Sequence, residues 1–218
     1  IVNVDAKSVG AEPVFIVSLD LGAKQLISKF PDKEIDLCEM PMPLFDSLSD
    51  GNLGYTKFWK EVKDALYKAI DSTKYKTIVI DTGSALWEVI RYGYNEEEGK
   101  TIGASSKARN YGEPNARMYG IITRAQVGGV NLVLTQYVKD KWENDQNTGR
   151  RVIDGWNRTE GLVDLVLVNR KERNPDPKAK GIGSIFKTTI KDYRFDPTIE
   201  GTELTNTDYD ELITVLGL

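Results

Sequence analysis

The chain has 218 residues, of which 40% are hydrophobic and 28% charged, and its 29 Lys and Arg face 33 Asp and Glu. This balance is typical of a folded globular protein and excludes a wholly disordered one. Because the sequence contains no histidine, it excludes Ser-His-Asp and Cys-His catalysis and the usual zinc hydrolases.

Five segments have the composition of β-strands: in chain order, 14–19, 77–80, 131–135, 162–168 and 184–193. The first four are apolar on both faces, which is typical of strands in a parallel sheet covered by helices on each side. The last alternates more loosely between polar and apolar residues, which predicts an edge or antiparallel strand.

Apolar residues recur at helical spacing between these strands and after them. The pattern predicts a helix over 56–70, a second after Ser84, a third ending at Gly128 and a short closing helix starting near Thr207. Strands and helices that alternate in this way predict one α/β domain, residues 1–218, with right-handed crossovers.

Three features of the sequence indicate the cellular compartment in which the protein is expected. The single cysteine, Cys38, cannot form an internal disulfide, which favours a reducing compartment. No apolar run reaches the roughly 18 residues of a membrane helix, and Ile1–Asp5 lack the basic and apolar regions of a signal peptide. We therefore expect a cytoplasmic protein with no membrane partner.

Charge is distributed unevenly along the chain. Residues 1–99 carry a net charge of −6, residues 100–194 carry +8 and residues 195–218 carry −6. A basic central section can bind a polyanion although the whole chain is acidic. The alternative is that these are solvated loops of mixed charge.

Polar residues follow the predicted strands at the edge where ligands of an open parallel sheet bind. They are Asp20, Asp81, Thr82, Gln136 and residues 169–171. The apolar run that ends in Asp81 has the pattern of a Walker B strand, whose carboxylate binds the water shell of a Mg²⁺ ion on nucleotide phosphates. The alternative is that this segment only caps the helix that follows it.

The order of these parts resembles the RecA-like ATPase core. Four segments resemble, more specifically, the phage nucleotide-binding proteins of the RecA-like, AAA-type P-loop group. These segments are PVFIVSLDLGA (13–23), IDTGSALWE (80–88), YGEPNARM (111–118) and LTQYVKDKW (134–142). The resemblance covers about residues 11–195. Proteins of this group are associated with single-strand annealing and recombination.

The resemblance implies a RecA-like three-layer α/β sandwich with a mostly parallel central sheet and an antiparallel edge strand. It also implies ATP and Mg²⁺ as cofactors. Asp20 would activate the attacking water, Asp81 would bind Mg²⁺ through water with Thr82 beside it, and Gln136 would sense the γ-phosphate. Asp20 and Gln136 keep an alternative as strand-end caps. A phage-encoded chain would act in the host cytoplasm.

The chain departs from the family pattern at two places. The Walker A loop, G-x-x-x-x-G-K-[ST], is absent. Its strand, loop and helix would occupy on the order of 25–30 residues, and the junction at Gly10 and Ala11 is where this unit is expected to be missing. The second departure is Asp20, where the family usually has Glu.

Two long polar segments, 95–115 and 137–161, are predicted as loops and fall where RecA-like proteins carry their DNA-binding loops. Basic side chains interleaved with aromatics suit single-stranded nucleic acid, and Gly149–Arg151 is predicted as the functional tip. Trp142 and Trp156 could instead pack under the loop. The predicted DNA-binding residues are Lys107, Arg109, Arg117, Lys139, Lys141, Trp142, Arg150 and Arg151.

Arg170 and Lys171 end a predicted buried strand. They would be trans-acting fingers that reach the phosphates of a neighbour in a ring or filament of this chain, or else ordinary surface charges. The sequence thus predicts a phage-type RecA-like ATPase that binds single-stranded DNA in recombination or strand annealing. The alternative is a non-catalytic DNA-binding or assembly module that retains the fold.

Overall fold

The computed structural model describes residues 12–44, 53–101, 111–174 and 183–218. Its centre is a parallel four-stranded sheet in the order β2-β1-β3-β4. In register, Val17 lies opposite both Cys38 and Ile80. The strands are β1 (Val14–Ser18), β2 (Ile35–Glu39), β3 (Thr77–Asp81) and β4 (Asn131–Leu134).

Four helices accompany this sheet: α1 (Ala23–Ile27), α2 (Tyr55–Ile70), α3 (Gly83–Glu97) and α4 (Gly112–Val127). The last three turn an apolar face toward the strands, and Val62, Leu86 and Ala125 are fully buried there beside Ile78 and Ile80. Burial of this shared apolar surface holds the helices on the sheet.

Antiparallel strands form two further sheets. A hairpin consists of β5 (Tyr137–Glu143) and β6 (Gln146–Asp154). A three-stranded sheet, in the order β7-β8-β9, consists of β7 (Leu165–Arg173), β8 (Ser184–Tyr193) and β9 (Glu203–Thr205). The last helix is α5 (Tyr209–Leu216). It contributes Leu216 to a second, smaller core with Leu165, Ile190 and Tyr193.

The structure confirms the α/β fold class, with a parallel central sheet and with the antiparallel strands in the two further sheets. The four predicted helices are α2, α3, α4 and α5. The predicted gap between residues 10 and 11 lies outside the described residues. A helix that could span a membrane would need to be longer and more apolar than any in the described part of the chain.

Two predictions about strands are wrong. The segment 162–168 was expected in the parallel sheet, but β7 pairs antiparallel with β8. Its apolar residues pack partly in the first hydrophobic core and partly in the second, which produces the same run of apolar residues. The segment 137–161 was expected to be a loop, but most of it is the β5–β6 hairpin. In addition, β2 was not predicted.

Candidate active site

The carboxyl ends of three neighbouring strands bring the polar side chains of the sheet edge together. Asp81 ends β3, Asp20 follows β1 and Thr135 follows β4. The backbone N–H of Leu19 donates to the carbonyl of Asp81 over 2.7 Å, so the ends of β1 and β3 stay joined where the strands finish. The sheet itself therefore aligns these three positions.

The Asp81 carboxylate accepts a hydrogen bond from the Thr135 hydroxyl, with 2.5 Å between Oγ1 and Oδ1. Thr135 is fixed in turn by its backbone. Its N–H donates to the carbonyl of Ile80 over 3.2 Å, and its carbonyl accepts from the N–H of Gly83 over 2.7 Å. The Asp81–Thr82 peptide is cis. Asp81 is only half-buried, so its carboxylate is also open to a ligand.

Thr82 is the N-cap residue of α3. Its hydroxyl accepts a hydrogen bond from the N–H of Ala85 over 3.1 Å, and the residue is 3% exposed. This is the N-cap position, where a side-chain oxygen satisfies one of the free N–H groups of the first turn. Because Thr82 serves as the cap of α3, the carboxylate of Asp81 is left for another partner.

Asp20 is exposed and uses both carboxylate oxygens. Oδ1 accepts from the N–H of Gly22 over 3.1 Å, and Oδ2 accepts from the Tyr137 hydroxyl over 3.0 Å. The hydrogen bond to Asp20 raises the pKa of the Tyr137 phenol, and desolvation and the charges of Asp20 and Asp81 raise it further. The phenol therefore remains protonated and keeps donating at neutral pH.

Gln136 lies in the chain between Thr135, the partner of Asp81, and Tyr137, the partner of Asp20. Its amide nitrogen is buried and has no hydrogen-bond partner among the described residues. Two glycines lie beside the side chain: a Cβ on Gly83 would lie 3.3 Å from Gln136 Cγ, a tight contact, and one on Gly155 would lie 3.5 Å from Nε2, an ordinary one. A buried amide nitrogen without a partner is uncommon, and it leaves both N–H groups of the Gln136 side chain unused at this edge.

The oxygens of Asp81 and Thr135 fit the metal end of a Mg²⁺–nucleotide complex, because Mg²⁺ prefers oxygen ligands such as carboxylates and hydroxyls. Asp81 would hold the ion. The described residues contain no cluster of three His, Cys, Asp or Glu side chains. A single carboxylate is consistent with Mg²⁺, because this ion keeps several water ligands and binds phosphate oxygens, so that it needs only one or two ligands from the protein.

The phosphate end of such a complex has no matching loop in the printed sequence. Gly99–Thr101 carries the letters G-K-T that end a Walker A motif, but it follows the C-terminus of α3, where carbonyls rather than N–H groups are free. Lys100 also pairs with Glu98 over 3.4 Å and lies 5.5 Å from the ring of Tyr94. This segment therefore does not cradle phosphates.

The β5–β6 hairpin starts directly at this edge with Tyr137. Its turn is at Asn144 and Asp145, which have φ of 50° and 61°, so the prediction of Gly149–Arg151 as the tip is wrong. Gly149 has φ of 69° and lies within β6, opposite the irregularity between Asp140 and Trp142. The extra residues of β6 at this point interrupt the regular pairing.

The predicted DNA-binding side chains of the hairpin differ in their partners. Lys139 pairs with Asp154 over 2.8 Å, Lys141 with Glu143 over 2.5 Å and Arg151 with Asp140 over 3.9 Å. Within the described part of the chain, Arg150 forms no ion pair. Trp142 is 63% exposed. Arg150 and Trp142 are therefore the two side chains of the hairpin with the most freedom to bind a ligand.

Two other residues of the predicted DNA-binding segments lie in the interior. Trp156 is 1% exposed, and its Nε1 donates to the Asn115 side chain over 2.8 Å. The side chain of Arg117 is 14% exposed and binds Glu97 over 2.5 Å and Glu113 over 3.0 Å. These contacts favour structural roles for both residues. Lys107 and Arg109 lie outside the described residues.

The predicted trans-acting pair lies on β7, in the three-stranded sheet. Arg170 binds Glu172 over 2.7 Å and also Glu203 of β9. Lys171 points to the other face of the sheet, because neighbouring residues of a strand alternate, and it lies 5.9 Å from the ring of Phe186. The charge of Arg170 is compensated within the sheet, which leaves Lys171 as the freer cation.

Thr135 and Tyr137 are not among the site residues predicted from the sequence. Thr135 is the last residue of the predicted strand 131–135, and Tyr137 is the first residue of the predicted loop 137–161. The signal that could have identified them is position, since both flank Gln136 where β4 ends. Ser84, whose Oγ accepts from the N–H of Tyr137 over 3.0 Å, lies in the family-like segment 80–88 but was not predicted as a site residue.

A parallel α/β sheet with carboxylates, a hydroxyl and an amide at its carboxyl edge is the arrangement of a nucleotide-binding domain. A family model described as an AAA domain matches residues 6–190. The chain therefore belongs to the AAA domain family, which is of the P-loop NTPase type, and this membership implies nucleotide binding, generally with Mg²⁺. No curated protein matches the chain in sequence.

The two ion pairs of Arg117 have a consequence for stability. Arg117→Met would remove both pairs, whose glutamates are partly exposed, so we expect the free energy of unfolding to fall by about 1 kcal/mol, measured by urea denaturation. Affinity for single-stranded DNA is expected to stay within about twofold of the unchanged chain, a difference of roughly 0.4 kcal/mol. Lower DNA affinity without lower stability would instead make Arg117 a DNA ligand.

Proposed function

We propose that the chain is a Mg²⁺-dependent ATPase that acts on single-stranded DNA in recombination or strand annealing, of the phage type, and that it assembles as a ring or filament. One observation carries this proposal: the two hydrogen-bonded pairs, Asp81 with Thr135 and Asp20 with Tyr137, lie at the carboxyl edge of the sheet and lead directly into the exposed hairpin. Nucleotide and DNA would therefore bind at adjoining segments of the chain.

In this proposal each polar residue at the carboxyl edge of the sheet has a different role. Asp81 holds Mg²⁺ through water, and the ion, when bound, neutralises charge on the phosphates. Asp20 accepts the proton of the attacking water, which an exposed carboxylate beside the ligand site can do. Gln136 donates its unpartnered amide to a terminal phosphate oxygen. Thr135 orients the carboxylate of Asp81.

Single-stranded DNA is proposed to bind along the hairpin. The exposed indole of Trp142 offers a surface on which a base stacks, and Arg150 offers a cation for a phosphate. The neighbouring ion pairs of Lys139, Lys141 and Arg151 reduce the free charge of the hairpin. We therefore expect moderate affinity that is largely independent of base sequence and that weakens as salt is added.

Removing the two arginines of β6 tests the DNA proposal. In the variant Arg150→Ala with Arg151→Ala, we expect affinity for oligonucleotides of different sequence to fall similarly. The slope of log affinity against log salt should decrease by about one for each lost phosphate contact. Fluorescence anisotropy with labelled oligonucleotides at several salt concentrations measures both quantities.

The matched control is Lys68→Ala with Lys76→Ala, which removes the same charge elsewhere. Lys76 directly precedes β3 and therefore lies at the amino edge of the sheet, opposite the proposed site. We expect this control to leave the salt slope unchanged. Equal losses in the two double variants would show that only overall charge matters, and the hairpin would then not be the DNA site.

The second candidate function is a DNA-binding or assembly module without hydrolysis. The absence of a G-x-x-x-x-G-K-[ST] motif from the printed sequence favours it. Equilibrium binding of a fluorescent ATP analogue, with and without Mg²⁺, separates the two functions. The ATPase proposal expects Mg²⁺-dependent binding, whereas the module expects none while DNA binding persists.

Assembly as a ring or filament requires a heterologous interface, in which one surface binds a different surface of the next copy. Light scattering of the chain with nucleotide and single-stranded DNA tests this part of the proposal. We expect species larger than a dimer, and a chain that stays monomeric at micromolar concentration with both ligands bound would exclude it. Lys171, rather than the ion-paired Arg170, is the residue we propose to act in trans.

A further inference from the structure

Tyr137 makes contacts in three directions from the first position of β5. Its hydroxyl donates to Asp20, which follows β1, over 3.0 Å. Its backbone N–H donates to Ser84 Oγ, in the first turn of α3, over 3.0 Å. It also directly follows Gln136, whose amide is buried beside Gly83 and Gly155. Tyr137 thus connects the hairpin to the turn after β1 and to the start of α3.

The contact with Tyr137 decides how firmly Asp20 is held. The other contact of its carboxylate, from the N–H of Gly22, comes from only two residues along the same turn. That local contact moves with the turn. The Tyr137 hydroxyl comes from 117 residues away in the chain. Of the two hydrogen bonds to the Asp20 carboxylate, only this one fixes Asp20 relative to the rest of the sheet edge.

The backbone of Tyr137 is itself well anchored. Ser84 is 8% exposed, so the oxygen that receives the Tyr137 N–H belongs to a rigid, buried helix start. Two residues earlier, Thr135 bonds to Ile80 and Gly83 through its backbone. The phenol oxygen is therefore carried by a segment with little freedom to move, although the ring is 57% exposed.

We propose that Tyr137 is a positioning residue: its hydroxyl holds the Asp20 carboxylate in place and makes that position depend on the base of the β5–β6 hairpin. The consequence for hydrolysis rests on the function proposed above, in which Asp20 accepts a proton from water. The mechanical part, that the hairpin base and the Asp20 turn hold each other, does not depend on any ligand.

Tyr137→Phe tests the proposal, because it keeps the ring and removes only the hydroxyl. In the unliganded full chain, we expect hydrogen–deuterium exchange to rise about threefold to tenfold in peptides that cover residues 19–23 and 137–143, as expected for the loss of one solvent-exposed hydrogen bond of ordinary strength. Tyr94→Phe is the matched control, since this tyrosine lies near the other end of α3. It should leave both peptides unchanged.

A double-mutant cycle shows whether the two residues act through each other. Asp20→Ala alone should loosen the 137–143 peptide by about as much as Tyr137→Phe does. In the double variant, the second change should add little. Additive effects, or a Tyr137→Phe chain whose exchange matches that of the control, would overturn the proposal whether or not the chain hydrolyses ATP.

Kinetics add the readout for hydrolysis. With Mg²⁺ and ATP, Tyr137→Phe should lower kcat about tenfold and leave KM within about twofold, because the hydroxyl acts on Asp20 and not on the nucleotide. A raised KM with unchanged kcat would overturn the positioning role. If the unchanged chain shows no hydrolysis, the proposed function fails, and the exchange cycle still decides whether Tyr137 positions Asp20.

Discussion

Trp156→Ala is expected to lower the free energy of unfolding by about 3–5 kcal/mol, the usual cost of truncating a large buried aromatic residue. Trp156 is 1% exposed, its ring centroid lies 5.0 Å from that of Tyr119 in an edge-to-face arrangement, and its Nε1 donates to Asn115. The truncation would therefore leave a cavity and an unpartnered amide oxygen. Urea denaturation followed by circular dichroism measures the loss.

Trp142 provides the matched control, because it is the same residue type at a position 63% exposed. Trp142→Ala should change stability by less than about 0.5 kcal/mol. It should weaken binding of single-stranded DNA by about 1–3 kcal/mol, the value of one stacked base. Equal destabilisation by the two variants would contradict the burial described above.

Under the proposed function, Asp81→Asn should abolish Mg²⁺-dependent hydrolysis of ATP, with a loss of at least about a hundredfold in kcat/KM, because an amide cannot replace the carboxylate that is proposed to hold the ion. DNA binding should persist, since the hairpin is unchanged. Steady-state phosphate release, with Mg²⁺ and with EDTA, gives the measurement, and the unchanged chain should lose its activity in EDTA to a similar extent.

The control for this change is Asp64→Asn, the same substitution on the exposed surface of α2, where the carboxylate lies 3.9 Å from Lys63. It should leave hydrolysis unaffected. The circular dichroism spectrum of the Asp81 variant should match that of the unchanged chain. A correctly folded Asp81→Asn chain with full activity would remove Asp81 from the proposed site.

The strands β1, β3 and β4 and the helices α2, α3 and α4 could be predicted, because burial leaves a continuous apolar run in a strand covered on both faces and a helical periodicity in a helix covered on one. The β5–β6 hairpin could not, since its strands are largely exposed and charges replace the alternation that reveals a half-buried strand. The apolar run of β7 is ambiguous for a different reason: contact with a small separate core produces the same letters as a parallel strand.

The positions of Asp20, Asp81 and Gln136 at the sheet edge followed from the sequence, because side chains that come after parallel strands must meet there. Residues 169–171 were wrongly predicted at this edge, since they lie within β7 of the separate antiparallel sheet. The partners of the side chains at the edge did not follow from the sequence. Tyr137 reaches Asp20, and Arg117 reaches Glu97, only through the folded chain. The local sequence around Trp142 and Trp156 likewise contains nothing that separates an exposed indole from a buried one, and only the packing of Tyr119 and Asn115 decides it.

The two hydrophobic cores of the described residues affect how the chain unfolds. Leu165, Ile190, Tyr193 and Leu216 form a cluster of their own, so the β7–β9 sheet with α5 can open as one cooperative unit while the parallel sheet stays folded. All four tryptophans of the sequence lie before residue 157. Indole fluorescence would therefore follow the melting of the first unit alone, and a tyrosine or backbone signal would be needed to see the second unit separate.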